Sequence, residues 1–184
     1  MNIVEEARKF VEEECKKPTS KYGEQPYENH FVPMHAHAKA LAEKLGADAE
    51  VVELAAWLHD IGSIICGREN HHITGAEIAG KKLSELGYSD DKIAKVRECI
   101  LTHRGSQNMK KESVEAQIIA DADAMSSFDN ISGIFMAAFV FEKQDQKSAK
   151  NTTRQKLENC WNKISAEAKE IVKPKYEAAM LLLQ

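Results

Sequence analysis

Residues 55–62 read AAWLHDIG, an apolar run that ends in the adjacent pair His59 and Asp60 and is followed by Gly62. Neighbouring helical residues point about 100° apart, so both side chains do not lie deep in one packed face by accident. At a helix end, which Gly62 is expected to impose here, an imidazole nitrogen and a carboxylate oxygen can converge on one cation. The alternative is a core histidine with one hydrogen-bond partner beside a surface aspartate, and the rest of the chain decides between the two.

The seven histidines all lie between residues 30 and 103. His30 is expected to open a helix, His59 and His103 to close one each, and the pair His71 and His72 to precede another. Helix ends from distant parts of a chain can meet in one cavity of a bundle. Imidazole with carboxylate suits Mn, Fe, Co, Ni or Zn, and further carboxylate oxygen extends the range to Mg. The two histidines outside this pattern are His35 and His37.

A further pair of acidic residues, Asp121 and Asp123, stands in the otherwise apolar stretch ADADA. Burying an unpaired carboxylate is costly, so a metal or a cationic neighbour is expected for at least one of them. The two residues differ by about 200° in direction on a helix, so only one points inward. The alternative places both on a solvated face.

Composition indicates an ordinary globular protein: 184 residues, 43% hydrophobic, 29% charged and a net charge of −4. This length fits a single domain. The acidic balance offers no basic field for nucleic acid or an anionic membrane. The apolar run Gly133–Phe141 is too short to cross a bilayer, and the first residues lack the pattern of a signal peptide, so we expect a cytoplasmic protein. Four scattered cysteines are expected to be reduced.

Helical periodicity extends over almost the whole chain, and no segment reads convincingly as a strand, so the sequence predicts an all-α fold. Loops are expected at 16–26, at 62–70 and at 104–112. Pro174 is expected to kink or end the helix that follows Leu157. The predicted helices cover residues 2–15, 29–45, 48–60, 74–86, 89–102, 113–126 and 129–141, with further helical segments beyond 148.

In this order and setting, His30, His59-Asp60 and Asp123 resemble the HD superfamily of metal-dependent phosphohydrolases. Local phrases that agree are HFVPMHAHAKALAEKLGADAEVVELAAWLHDIG, HHITGAEIAGKKLSELGYSDDKIAKVRECILTHR and AQIIADADAM. The resemblance covers about 25–140. It implies one HD domain over 1–184, with the metal site among helix ends and the C-terminal helices of 148–184 packed on the core.

The resemblance also implies ligand roles. His30, His59, Asp60 and Asp123 would hold the first divalent ion, with Asp123 matching the family's late aspartate better than Asp121. His71 and His103 match the family residues that bind a second ion or contact phosphate. His72 is the alternative to His71 for this role. His35 and His37 match no ligand and are expected to be structural or exposed.

Three of these positions carry the expected catalysis: Asp60, which would also orient the attacking water, and His71 and His103. Arg104 and Arg68 are candidates to bind phosphate, because guanidinium matches phosphate oxygens bidentately. For Arg104 the alternative is a solvated cation at a helix end. The chain departs from many relatives at Ser63, where a lysine is common, and at Ser126, where a second acidic residue is common.

The expected activity is hydrolysis of a small phosphate ester, with nucleotides as one candidate class, by one or two divalent ions (Mn, Mg, Co, Ni, Fe or Zn) that activate water. The alternatives are a di-iron oxygenase on the same scaffold and a non-catalytic metal- or nucleotide-binding module. No nucleic-acid or membrane partner is expected. The lysine-rich segment 143–156 is interpreted as a solvated face. The apolar stripe 157–171 is expected to pack on the domain, with homodimer formation as the alternative.

Overall fold

The all-α prediction is confirmed in a computed structural model of the chain, which describes residues 2–104 and 111–184 and contains no strand within those ranges. The predicted loop at 104–112 lies largely outside the described residues. Two of the helical segments are short π-helical turns, Tyr27–Phe31 and Ala137–Phe141. The α-helices are α1 (Ile3–Lys16), α2 (Val32–Leu45), α3 (Ala49–Leu58), α4 (Ile61–Cys66), α5 (His71–Glu85), α6 (Asp90–Thr102), α7 (Val114–Ser126), α8 (Ile131–Met136), α9 (Gln146–Lys163) and α10 (Ala166–Leu182).

Local capping explains several of these boundaries. The Asp48 carboxylate accepts a hydrogen bond from the Val51 amide and begins α3, as predicted. Gly46 ends α2 in the left-handed conformation at φ +65°, which glycine adopts without a side-chain penalty. Ser89 precedes α6 as expected, although its side chain makes no capping hydrogen bond.

The core forms where the middle helices pack on one another. Helix α2 packs on α3 and α7, and α6 packs on α3, α5 and α7. Helix α3 is buried along most of its length from Val51 to Leu58, because its sequence is apolar on every face. Burial of this kind supplies the main stabilising free energy of such a bundle, and it fixes the end of α3, where His59 lies.

Close backbone packing brings α4 against α5. A Cβ atom added to Gly62 would lie 2.3 Å from the His71 carbonyl oxygen, and one added to Gly75 would lie 3.3 Å from the His59 carbonyl oxygen. Side chains larger than hydrogen therefore do not fit at Gly62. The expectation that Gly62 breaks the helix was wrong: it lies inside α4, and its small size permits the close approach of α5.

Two other boundary predictions also need correction. Residues 62–70 were expected to form a loop, but 61–66 form α4, a helix too short to show a clear period. His71 and His72 were expected to precede a helix, but they are the first two residues of α5, which begins after Asn70 in the left-handed conformation. The first error arises because a six-residue helix is too short to give a periodic signal, and the second because the helix start is set by the backbone conformation of Asn70.

At the C-terminus, α9 packs on α7 and α8, and α10 packs on α9 and α7. The chain turns between them at Ser165, whose hydroxyl caps α10 by accepting from the Ala168 amide. The expectation that Pro174 ends the helix was wrong, because α10 continues through it, and the alternative of a kink stays a prediction. Glu170, whose carbonyl oxygen has no amide donor at Pro174, lies at an exposed position, where water can replace the lost bond.

The described helices differ in length and apolarity. None of them alone has the length and apolarity to cross a bilayer, and one bent pair, Val114–Ser126 with Ile131–Phe141 at 69°, has them jointly. Helix α7, the first member of that pair, is largely buried in the core.

Candidate metal centre

The predicted ligand residues come together from five helical elements or their ends. His30 lies in the π-helical turn before α2, His59 closes α3, and Asp60 lies between α3 and α4. His71 begins α5, and His103 follows α6. Asp123 lies on α7. The π-helical turn was not predicted; such turns are frequent at functional sites, and here one carries a site histidine.

Four imidazoles are oriented by hydrogen bonds at Nδ1. Three of these bonds go to backbone carbonyls: His59 to Ala56 at 2.9 Å, His71 to Arg68 at 2.9 Å and His103 to Ile100 at 2.5 Å. A carbonyl oxygen only accepts, so Nδ1 of each of these rings carries the proton and Nε2 presents a lone pair.

His30 follows the same rule through a serine. The Ser126 hydroxyl donates to the Asp123 carbonyl at 2.7 Å, which leaves its oxygen free to accept from His30 Nδ1 at 3.0 Å. His30 Nε2 is then the nitrogen that faces the cavity. All four rings therefore direct Nε2, and not Nδ1, towards the same region.

The Asp60 carboxylate lies between two pairs of these nitrogens. Its Oδ2 atom is 3.6 Å from His30 Nε2 and 3.9 Å from His59 Nε2. Its Oδ1 atom is 3.3 Å from His71 Nε2 and 3.8 Å from His103 Nε2. Among the described residues, two sets of three ligand atoms lie within 4.8 Å of one another, and Asp60 belongs to both: His30, His59 and Asp60, and Asp60, His71 and His103.

The electrostatics agree with a site built for cations. Burial lowers the pKa of the His59 imidazole to about 4. Burial also opposes protonation of His30, but the contacts with Asp60 and the charge of Asp123 outweigh it and raise its pKa. Burial would raise the pKa of Asp60, yet the charges of the surrounding histidines hold it well below its usual value. The carboxylate is therefore ionised and ready to bind a metal at neutral pH.

Asp123 and Asp121 contact different groups, but the expectation that only one of them points inward was wrong, because Asp121 is buried and Asp123 is partly buried beside His30. Asp123 Oδ1 is 3.8 Å from His30 Nε2, although Asp123 belongs to neither set of three. Asp121 is buried and accepts hydrogen bonds from the Gln117 side chain at 2.8 Å and the Ser165 amide at 3.3 Å. The geometry therefore brings Asp123, and not Asp121, to the histidines.

The remaining histidines lie outside the two sets of ligands. His72 is buried beside His71, with the two ring centroids 5.9 Å apart, and its Nδ1 has no hydrogen-bond partner among the described residues. His35 stacks on Trp57 at 4.6 Å and contacts Glu53 at 2.8 Å, while His37 contacts Asp129 at 2.7 Å. Of the two candidates, His71 and not His72 lies within reach of Asp60, with its Nε2 atom 3.3 Å from Oδ1.

An open cavity of about 1060 Å³ extends outward from these ligands. Asp60 and Asp123 are the acidic residues of its described lining. Arg68 and Arg104, the predicted phosphate contacts, also line it. Further basic residues of the lining, which sequence reasoning did not select, are Lys21, Lys156 and Lys163.

Sequence reasoning also missed what two serines contact. Ser63, noted as a departure from relatives, donates from its hydroxyl to Asp60 Oδ1 at 3.2 Å. Ser126, noted for the same reason, accepts from His30 Nδ1 and donates to the Asp123 carbonyl. Each lies three residues after an aspartate, on the same side of the helix. That spacing was the available signal for both contacts.

Comparison with known families agrees with this site. The model of the HD domain family matches residues 27–127, which is more than half of the chain. The protein belongs to the HD domain family. The matched range includes His30, His59, Asp60, His71, His103 and Asp123, and excludes α9 and α10.

Curated relatives match over part of their length. Ribonuclease Y of Symbiobacterium thermophilum is 32% identical over 99 residues, and that of Rubrobacter xylanophilus is 34% identical over 100 residues. Each alignment covers 53% of this chain but 17% or 18% of the relative. The chain thus spans less than a fifth of the curated relatives it matches.

Solved structures share the fold over nearly the whole chain. An HD-superfamily hydrolase from Bacillus thuringiensis has a TM-score of 0.76 at 18% identity, covering 98% of this chain and 93% of its own. Bacillus subtilis YpgQ, solved in complex with ADP, has a TM-score of 0.71 at 19% identity, covering 97% and 92%. These likenesses extend the shared fold through α9 and α10.

Proposed function

We propose that the protein is a metal-dependent phosphohydrolase in which two sets of ligands that share Asp60 would hold one or two divalent ions. One observation carries the proposal: the Nε2 atoms of four imidazoles face the two oxygens of a single carboxylate, two at each oxygen, and those of His30 and His59 are only 3.0 Å apart. Facing lone pairs repel one another unless a cation lies between them. Nitrogen and carboxylate donors in this ratio suit Mn, Fe, Co, Ni or Zn.

His30, His59 and Asp60 would hold one ion, with Asp123 completing its ligands, and Asp60, His71 and His103 would hold the other. Divalent ions at such sites act as Lewis acids on a phosphoryl oxygen and make water a nucleophile near neutral pH. Asp60 would accept a hydrogen bond from that water and orient it. Arg68 and Arg104 would bind the outer phosphoryl oxygens, because both line the same cavity.

Nucleotides are the favoured substrate class. The ADP bound to YpgQ, a protein of the same fold, supports a nucleotide over other phosphate esters. A second candidate is an RNA phosphodiester, which the likeness to Ribonuclease Y favours. The net charge of −4 argues against tight binding of a long nucleic acid.

The test combines metal analysis with a substrate screen. The purified protein is expected to contain up to two ions per chain and to hydrolyse phosphoesters with Mn, Co, Ni, Fe or Mg. Asp60→Asn, purified identically, should lose both ions and at least about a thousandfold in rate, because the bridging ligand is gone. Asp91→Asn, an exposed carboxylate on α6, is the matched control and should behave as the wild type.

Two further measurements separate the alternatives. A short RNA oligonucleotide in the same screen tests the phosphodiester candidate. Oxygen uptake and near-ultraviolet absorbance of the iron-loaded protein test the di-iron oxygenase. Oxygen consumption without phosphoester hydrolysis, or full activity in Asp60→Asn, would refute the proposed function.

A further inference from the structure

One face of α9 lines the cavity beside the metal centre, although α9 lies outside the residues matched by the HD family model. Lys156, Cys160 and Lys163 are the lining residues of this helix. Their spacings of four and three residues place them on one side of a helix, one above the other. The two lysines therefore extend along the same wall, about two helical turns apart.

The packing of α9 fixes this wall in place. Leu157, Cys160 and Ile164 are buried, and Cys160 Sγ lies 3.6 Å from the Ser127 hydroxyl oxygen. Ser127 follows directly after Ser126, which orients His30. The lysine stems are thus attached to a helix that rests on the same end of α7 as the candidate ligand Asp123.

The charges of Lys156 and Lys163 are not neutralised within the described part of the chain. Neither forms an ion pair there within 4.0 Å, whereas the neighbouring Arg154 pairs with Glu158 at 3.0 Å. The acidic residues of the described cavity lining, Asp60 and Asp123, are committed to cations in the proposed function. The wall formed by α9 therefore presents free positive charge in a protein whose net charge is negative.

We infer that Lys156 and Lys163 form an anion subsite that binds a phosphate group of the substrate other than the one attacked at the metal centre. This inference rests on the proposed function and adds a specificity determinant to it. The lysine ammonium is a point charge on a flexible stem and contacts phosphate without fixed geometry. The subsite favours ligands with two or more phosphates, such as a nucleoside diphosphate, over monophosphates.

The experiment compares ADP with AMP as ligands of the Mn-loaded full chain by isothermal titration calorimetry. Wild type is expected to bind ADP more tightly than AMP. Lys156→Gln with Lys163→Gln should weaken ADP binding by about tenfold, the combined effect of two partly exposed charge contacts, and AMP binding by no more than about twofold. The matched control, Lys95→Gln with Lys147→Gln, removes the same charge from exposed sites that do not line the cavity and should leave both affinities unchanged.

Each outcome decides the inference. If wild type and the α9 double variant bind ADP with equal affinity, the inference is overturned. It is also overturned if the double variant loses affinity for ADP and AMP equally, because this indicates a general electrostatic attraction and not a subsite. If wild type hydrolyses phosphoesters but does not prefer ADP to AMP, the subsite is refuted and the proposed function stands. If Asp60→Asn retains its metal and its activity, the proposed function itself fails.

Discussion

The Nε2 atoms of His30 and His59 face each other across 3.0 Å, and the Nδ1 atom of each ring is already occupied as a donor. Without a cation, the contact is favourable only when one ring carries a second proton. The raised pKa of His30 and the lowered pKa of His59 assign that proton to His30. A bound metal replaces the proton, so metal binding and protonation of His30 compete.

A pH dependence of stability follows for the metal-free protein. The folded pKa of His59 is about 4 and the unfolded value is about 6.5, so the unfolded chain takes up the proton first as the pH falls. The stabilising contribution is present above pH 6.5 and is lost between 6.5 and 4, up to about 3 kcal/mol. His30 has the opposite sign: its contribution is present below pH 6.5 and is lost as the pH rises through its raised pKa.

Urea unfolding of chelator-treated protein between pH 7.5 and pH 4 measures this effect. The free energy of unfolding of wild type should fall more steeply than that of His59→Gln, because other acid-sensitive groups are common to both proteins. Parallel curves for the two proteins would contradict the assignment of a low pKa to His59.

Ser126→Ala should weaken metal binding without unfolding the protein. The hydroxyl oxygen accepts from His30 Nδ1, and losing such a partner of a ligating histidine costs about 10- to 100-fold in metal affinity. Metal competition with a chromophoric chelator measures the loss. Ser127→Ala changes the next residue, which lines the same cavity without contacting His30, and should bind metal as the wild type does. Unchanged metal affinity in Ser126→Ala would show that the hydroxyl of Ser126 is not needed to orient His30.

The two aspartates of α7 give a matched pair of variants. Asp123→Asn should lower metal affinity by roughly tenfold or more, because it removes a carboxylate beside His30. Asp121→Asn should keep full metal content and equal or greater stability at pH 7. Burial raises the pKa of Asp121, so the neutral amide suits its site, and its oxygen keeps the bonds from Gln117 and Ser165. If Asp121→Asn lost metal and Asp123→Asn did not, Asp121 and not Asp123 would be the metal ligand.

The sequence predicted the helical fold and the residues that meet, because long amphipathic segments and caps such as Asp48 leave clear signals. It could not choose between His71 and His72, since that choice depends on where α5 begins, and the left-handed Asn70 that sets this start has no strong sequence signature. Lys156 belongs to the segment 143–156 that was interpreted as a solvated face, and Lys163 carries no motif, so the sequence did not associate either lysine with the site. That the chain forms one domain stays a prediction.

Gly62 is a position where backbone packing and the site are directly coupled. In Gly62→Ala the new methyl group would meet the His71 carbonyl oxygen at 2.3 Å and the Gly75 amide nitrogen at 2.6 Å, and neither backbone atom can move alone. We expect a loss of about 1–3 kcal/mol in the free energy of unfolding. We also expect displacement of His71 from Asp60, since α5 must shift as a unit.

Gly80→Ala is the control for this prediction, because its methyl group would meet the flexible Arg97 side chain at 3.0 Å and alanine favours a helix by up to about 1 kcal/mol. Both variants are compared by thermal unfolding and by the number of metal ions bound per chain. Gly62→Ala should lose the ion held by Asp60, His71 and His103 before the other, because only that set includes a residue of α5. Loss of both ions together, with the fold retained, would show instead that Asp60 itself had moved.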